Sequence, residues 1–122
     1  MSPQDQLTIP EIKTSPIPPA LLEEIETFEA EALRTMAGEV SNDLFKPFRL
    51  QYGIYGQRQS GVQMVRIKIP FGGISANQLR RVAELADRHA TAVGHVTTGQ
   101  DIQIHFVELK DVPTIMRGLA EV

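Results

Sequence analysis

The chain has 122 residues, 42% hydrophobic and 22% charged, with a formal net charge of −3 and no cysteine. That length accommodates one domain around one core, and the balance excludes disordered, collagen-like and disulfide-framework chains. The mildly acidic charge disfavours a general nucleic-acid binder, no apolar run approaches the ~20 residues that cross a bilayer, and without cysteine there is no disulfide, thiolate nucleophile or ordinary iron–sulfur ligand set.

Met1–Gln6 lacks the basic start and apolar stretch of a secretory signal, so a cytoplasmic location is expected. Five of the eight prolines fall at Pro3, Pro10, Pro16, Pro18 and Pro19. Proline fixes φ and removes a backbone donor, so residues 1–19 read as a flexible, extended arm. Helical periodicity follows: Leu21, Leu22, Ile25, Phe28, Ala32 and Met36 recur at three- and four-residue steps, with Glu23, Glu24, Glu26, Glu29 and Glu31 around them. Gly38 is the expected stop, and residues 20–43 read as this helix and a linker.

From Leu44 to Pro70 the period changes to two. Leu50–Arg58 and Val62–Ile69 are predicted strands of an antiparallel hairpin joined through Gln59-Ser60-Gly61. Gly72-Gly73 then breaks the strand, and Ser75 with Gln78 has the spacing of a capping box. Leu79, Val82, Ala83 and Ala86 carry a helix to about His89. A third strand is expected over residues 94–107, and Asp111 is placed to cap a last helix carrying Val112, Ile115, Met116 and Leu119. That helix is expected to run to Val122, as in a chain cut inside an element. Strands joined through a helix predict a parallel pair with a right-handed crossover. The expected fold is therefore α+β, a three-stranded mixed sheet with helices on one face.

Alternation assigns two faces to that sheet. Val65, Ile67 and Ile69 oppose Met64, Arg66 and Lys68; Ile102, Ile104 and Phe106 oppose Asp101, Gln103 and His105. The apolar sides are expected against the helices. The other face, with Arg66, Lys68, Gln103 and His105, has two readings: a wet surface of the kind antiparallel sheets often carry, or an anion site that relieves the repulsion of like charges placed together. No dinucleotide loop, zinc set or nucleophile with its partners is evident.

Three stretches bear on that choice: Phe48 to Arg58, Met64 to Pro70, and His95 to Gln103. With Gln78-Leu79-Arg80 and the Asp111-Val112-Pro113 helix start, they resemble the opening of the assimilatory nitrite and sulfite reductases that use sirohaem and a 4Fe–4S cluster. The family shows a GxYxQR-like strand, an MxRxKxP-like strand, a helix with QLR and a TTRQ-type strand. The resemblance covers residues 44–122 and implies a ferredoxin-like half-domain of the nitrite/sulfite reductase family, N-terminal in the enzyme. The implied reaction is six-electron reduction of the anion, with the isolated chain inactive and neither cofactor fully bound by it.

By resemblance, Arg66 matches the arginine that binds the substrate anion and stabilises its charge. Arg58, Lys68, Thr97, Thr98, Gln100 and Gln103 match positions near the macrocycle or its carboxylates, and Tyr55 a position near the substrate pocket. The family has Arg where this chain has Gly99, so a bond of about 1.5–3 kcal/mol to a carboxylate is missing. The implied partners are a second half-domain and a Cys-bearing cluster domain of the full-length reductase, a small anion substrate, and an electron donor such as ferredoxin or a reductase flavoprotein. Neither nucleic acid nor a membrane is expected, and self-association of the isolated chain is a further expectation. Two other readings stand beside this one: a stand-alone, non-catalytic ligand-binding or regulatory module, and the half-domain of a related precorrin-modifying enzyme.

Overall fold

Helix α1, Pro19–Met36, opens on a proline at its first position, where the missing N–H costs nothing. Its buried residues are Ile25, Phe28 and Ala32, the centre of the predicted stripe; Leu21 and Met36 at its ends are exposed. Gly38, at φ +80°, terminates it as expected, with Glu39 N–H donating back to Arg34 O at 2.9 Å. The computed structural model describes residues 11–58 and 61–122. Residues 1–10 of the arm, and Gln59 and Ser60 of the predicted turn, lie outside the described residues. Residues 11–18 lie along the domain: Lys13 N–H donates to Asn77 Oδ1 at 2.7 Å and Ser15 N–H to Glu121 O at 2.8 Å.

The chain then departs from the strand predicted over Leu50–Arg58. A second helix, α2, occupies Asn42–Gln51, capped by Ser41, whose Oγ accepts from Leu44 N–H at 3.2 Å. Phe45, Phe48 and Tyr52 stand at helical spacing and close on Phe28 of α1, with ring centroids 5.9, 5.9 and 5.1 Å away. Only Ile54–Gly56 remains as strand, β1. It pairs antiparallel with β2, Val62–Ile67, so the predicted hairpin forms, but shorter. Gly53 makes the helix-to-strand turn at φ +75°, and a Cβ there would sit 2.9 Å from Arg66 O.

A single 3-10 turn, Pro70–Gly72, leads to α3, Ala76–His89, which has the predicted capping box: Ser75 Oγ accepts from Gln78 N–H and Ser75 N–H donates to Gln78 Oε1, both at 3.0 Å. Its buried face is Val82, Leu85 and Ala86; Leu79, expected inward, is 50% exposed because the stripe is rotated toward Leu85. The strand expected over residues 94–107 is two, β3 (Gly94–Val96) and β4 (Ile102–Glu108), joined by a turn in which Gln100 takes φ +67°. The order is β1-β2-β4-β3 and every pair is antiparallel. The sheet is therefore four-stranded and not mixed. Strands β2 and β3, linked through α3, do run the same way, but β4 lies between them.

A β-bulge on β4 corrects a further expectation. Gln63 pairs with Val107 and Val65 with Ile104, leaving one extra residue on β4, and Phe106 adopts φ +61°. Alternation is reset there: Val107 enters the core and Phe106, predicted inward, is 44% exposed. The last helix, α4 (Val112–Ala120), closes at Ala120 and does not run through Val122; Asp111 precedes it, but its side chain makes no cap hydrogen bond. Val112, Ile115 and Gly118 pack α4 against the common core, and Arg117 donates both Nη groups to Glu29 of α1, at 2.7 and 3.0 Å. That hydrogen bond holds the Glu29 carboxyl below its usual range, against an opposing effect of burial.

Candidate functional site: the open face of the sheet

Strand β2 delivers the predicted division of faces. Val65 and Ile67 are buried in the core, while Arg66 between them is half-buried and Lys68, one residue past the strand, is exposed. Three strands place polar residues in one transverse row, since Arg66 pairs with Gln103 and Gln103 with His95. Directly paired residues on one face stand about 4.5–5.5 Å apart at Cβ, within reach of a single ligand. Tyr55, diagonal to Arg66 on β1, puts its ring under the guanidinium, 5.0 Å from centroid to Cζ.

Arg66 has an unbalanced environment. Its Nε is buried with no hydrogen-bond partner among the described residues, and no carboxylate there lies within ion-pairing distance. An unmade bond at a buried charged donor costs about 1–3 kcal/mol or more. An anion on this face would balance the charge of the guanidinium.

A second element beside the row was not foreseen. Gln57 Oε1 accepts from Phe106 N–H at 2.6 Å, which fixes the amide so that Nε2 faces His105 Nδ1 at 3.4 Å. With Nε2 donating, the His105 ring carries its proton on the other nitrogen. His105 meets His95 edge to face at 5.2 Å between centroids. Gln57 lies inside one of the diagnostic stretches, but its partner is 49 residues away, and no local pattern encodes that contact.

Not all predicted residues converge. Thr97, Thr98 and Gln100 lie in the β3–β4 turn, closed by Thr97 N–H to Asp101 O at 2.9 Å and Gln100 N–H to Thr97 O at 3.0 Å. Gln100 turns toward the β2–α3 connection: a Cβ on Gly72 would be 2.5 Å from its Oε1. Asp101 Oδ1 accepts from Ile69 N–H at 3.1 Å and so ties this turn to the end of β2. Arg58 is exposed after β1, beside the undescribed residues. The row proper is thus Tyr55, Arg66, Gln103 and His95, with Lys68 beside it, two residues on from Arg66 past the end of β2.

The family model of the nitrite/sulfite reductase ferredoxin-like half domain matches residues 55–122, from β1 through α4. The chain belongs to this family. The half-domain is 31% identical to the assimilatory ferredoxin-dependent nitrite reductase of Haloferax mediterranei, over 84% of this chain and 20% of that protein. It is 30% identical to the chloroplastic ferredoxin–nitrite reductase of Arabidopsis thaliana, over 100% of this chain and 21% of that one. The half-domain thus spans about a fifth of the length of these curated relatives. Among solved structures, the NirA protein of Mycobacterium tuberculosis superposes with a TM-score of 0.64 at 22% identity, covering 86% of this chain and 24% of that one, so the two share the fold. Among the described residues, no helix is long and apolar enough to cross a membrane.

Proposed function

We propose that the half-domain serves a reductase that takes nitrite to ammonia or sulfite to sulfide with sirohaem and a 4Fe–4S cluster, supplying cationic and polar contacts and not redox chemistry. One observation carries this reading: Arg66, seated on the Tyr55 ring and aligned with Gln103, has a buried donor and no carboxylate partner among the described residues. Guanidinium groups in that state suit bidentate binding of carboxylate or a small oxyanion.

The residues present fit the periphery of sirohaem. Its carboxylates accept only, and Arg66, Lys68 and Gln103 on or beside the row, with Arg58, Thr97, Thr98 and Gln100 around it, offer donors. They do not fit the iron–sulfur cluster, because a chain with no cysteine offers it no thiolate; its ligands belong to other sequence of the enzyme. When bound, sirohaem supplies the iron at which the anion is reduced. The chain's own part is electrostatic: Arg66 holds negative charge at a fixed point, Tyr55 fixes the guanidinium plane beside the substrate, and the fold delivers both without reorganisation. The relatives' names specify ferredoxin as reductant, and a ferredoxin is the donor proposed here, with a second half-domain and a cluster-bearing domain as the remaining partners, in the cytoplasm.

The test is titration of the chain with sirohaem, followed by the absorption of the macrocycle. Saturable binding is expected, weakened about tenfold or more in Arg66→Ala, the loss of one charge-assisted contact. Equal affinity in the two proteins, or no saturable binding, refutes the assignment of Arg66.

A further inference from the structure

On the helical layer, the described part of the N-terminal arm is held chiefly by its main chain. Asn77, the second residue of α3, turns both halves of its carboxamide on one arm residue: Oδ1 accepts from Lys13 N–H at 2.7 Å and Nδ2 donates to Lys13 O at 2.8 Å. The N–H and C=O of a single residue point the same way in extended backbone, so this pairing imitates the hydrogen-bonded pair of an antiparallel ladder. Two residues on, where an extended chain presents its next N–H to the same side, Ser15 N–H donates to Glu121 O at 2.8 Å. Glu121 is the C-cap of α4, and the last carbonyls of a helix have no partner within it.

The seat for this segment is built by α3 and α4 together. Arg81 of α3 donates from Nη1 to Glu121 Oε1 at 3.2 Å, and Gln78 Nε2 donates to Val122 O at 3.2 Å. The first turns of α3 thus fix the end of α4 whose carbonyl receives Ser15. Farther along, the two helices approach so closely that a Cβ on Gly118 would lie 3.0 Å from Leu85 Cδ2. Beside that contact a recess of about 340 Å³ opens, with Ile17 of the arm, Leu85, Thr114 and Gly118 in its wall. Ile12 and Ile17 are half-buried, while Lys13, Thr14, Ser15 and Pro16 between them are exposed. Pro18, at φ −54° and ψ 137°, fixes the direction in which the segment leaves α1.

The bonds to Asn77 and Glu121 read backbone and not side chains, as an edge strand does when it accepts an added peptide. The exposed stretch over Lys13–Pro16 leaves the segment free to depart without opening the core. We infer that the α3–α4 seam is a docking site for an extended peptide, occupied here by the chain's own residues 12–17, which seat and leave as one strap with Asn77 as its latch. With the strap off, the same donors and acceptors are open to an equivalent segment supplied in trans. The site lies outside the sheet and does not rest on the reductase reading.

The test uses the full chain. Lys13→Pro/Ser15→Pro removes the arm N–H groups that Asn77 and Glu121 accept and leaves every residue of the seam intact. A tethered segment is present at an effective concentration on the order of millimolar, so one that seats in cis binds in trans with a Kd below that value. A blocked peptide with the sequence of residues 11–18 is therefore expected to shift the backbone amide NMR signals of α3 and α4 saturably in the double variant. It should bind there about tenfold or more tighter than in the parent, whose seam is filled. Asn77→Ala added to the double variant should weaken the peptide about tenfold. In Asn77→Ala alone, amide exchange should quicken at Ser15 as well as at Lys13, although the Ser15 acceptor is untouched, because the strap leaves as a unit. No saturable response in the double variant, equal affinity in the parent, no loss on adding Asn77→Ala, or faster exchange at Lys13 alone would each overturn the inference.

Discussion

Replacing Phe28 with alanine tests whether α1 belongs to the half-domain or merely precedes it. Phe28 is fully buried, and three rings from or next to α2 surround it with centroids 5.9, 5.9 and 5.1 Å away. Phe→Ala in a core costs about 3–5 kcal/mol, and lost aromatic pairing places this site toward the upper end. Against a total of about 5–15 kcal/mol for a domain of this kind, that is a third or more of the stability and lowers the melting temperature by roughly 10–20 °C. The assay is urea unfolding followed by far-UV circular dichroism and by tyrosine fluorescence, the chain having two tyrosines and no tryptophan. Leu33→Ala, at a position on α1 that is 57% exposed, is the control and should shift stability by no more than about 0.5 kcal/mol. A loss of about 1 kcal/mol or less for Phe28→Ala, at unchanged denaturant slope, would refute the claim that α1, α2 and the sheet share one core.

The Glu29–Arg117 pair makes a pH-dependent contribution of known sign. Arg117 lowers the Glu29 pKa in the folded state, so the stabilisation is present above the ordinary carboxylate range and is lost as pH falls through the lowered value; because both side chains are about a third exposed, Glu29→Gln should cost no more than about 1 kcal/mol at neutral pH and nothing in acid, as read from urea midpoints. Asp101→Ala removes the acceptor for Ile69 N–H and should cost about 1–2 kcal/mol, with faster hydrogen exchange at the Ile69 amide than in the parent. Gly99→Arg should leave the melting curve within about 0.5 kcal/mol of the parent, because a Cβ there meets only Thr97 Oγ1, at 3.7 Å, and the backbone is not left-handed; sirohaem titration of that variant should show tighter binding than the parent.

How much of this was legible in the sequence depended on whether the deciding contact was local. The capping box of α3 was readable because Ser75 and Gln78 are three residues apart and complete each other's bonds. The division of β2 into an apolar and a cationic side followed from alternation alone. Helix α2 was misread because Phe48, Leu50, Tyr52 and Ile54 alternate as a strand does, while Phe45, Phe48 and Tyr52 also keep helical spacing. Phe28, a whole element away, decides between the two periods by packing on the helical set. The split of the last predicted strand was hidden because Gly99 does not mark its turn with a left-handed φ; Gln100 adopts it instead. The side of Phe106 is not legible locally because the bulge carries a bond to Gln57, just past the end of β1. For the site, alternation placed Arg66 on the open face, but neither Tyr55 beneath it nor the missing carboxylate is a property of neighbouring residues.

Strands β1 and β3, the two rims of the sheet, are three residues each. Such a short ladder gives a foreign strand almost nothing to hydrogen-bond, and a zipper of copies along either rim would run out after one repeat. A large partner gains little from either rim, and the open face of the sheet, where Arg66 lies, offers it a broader surface.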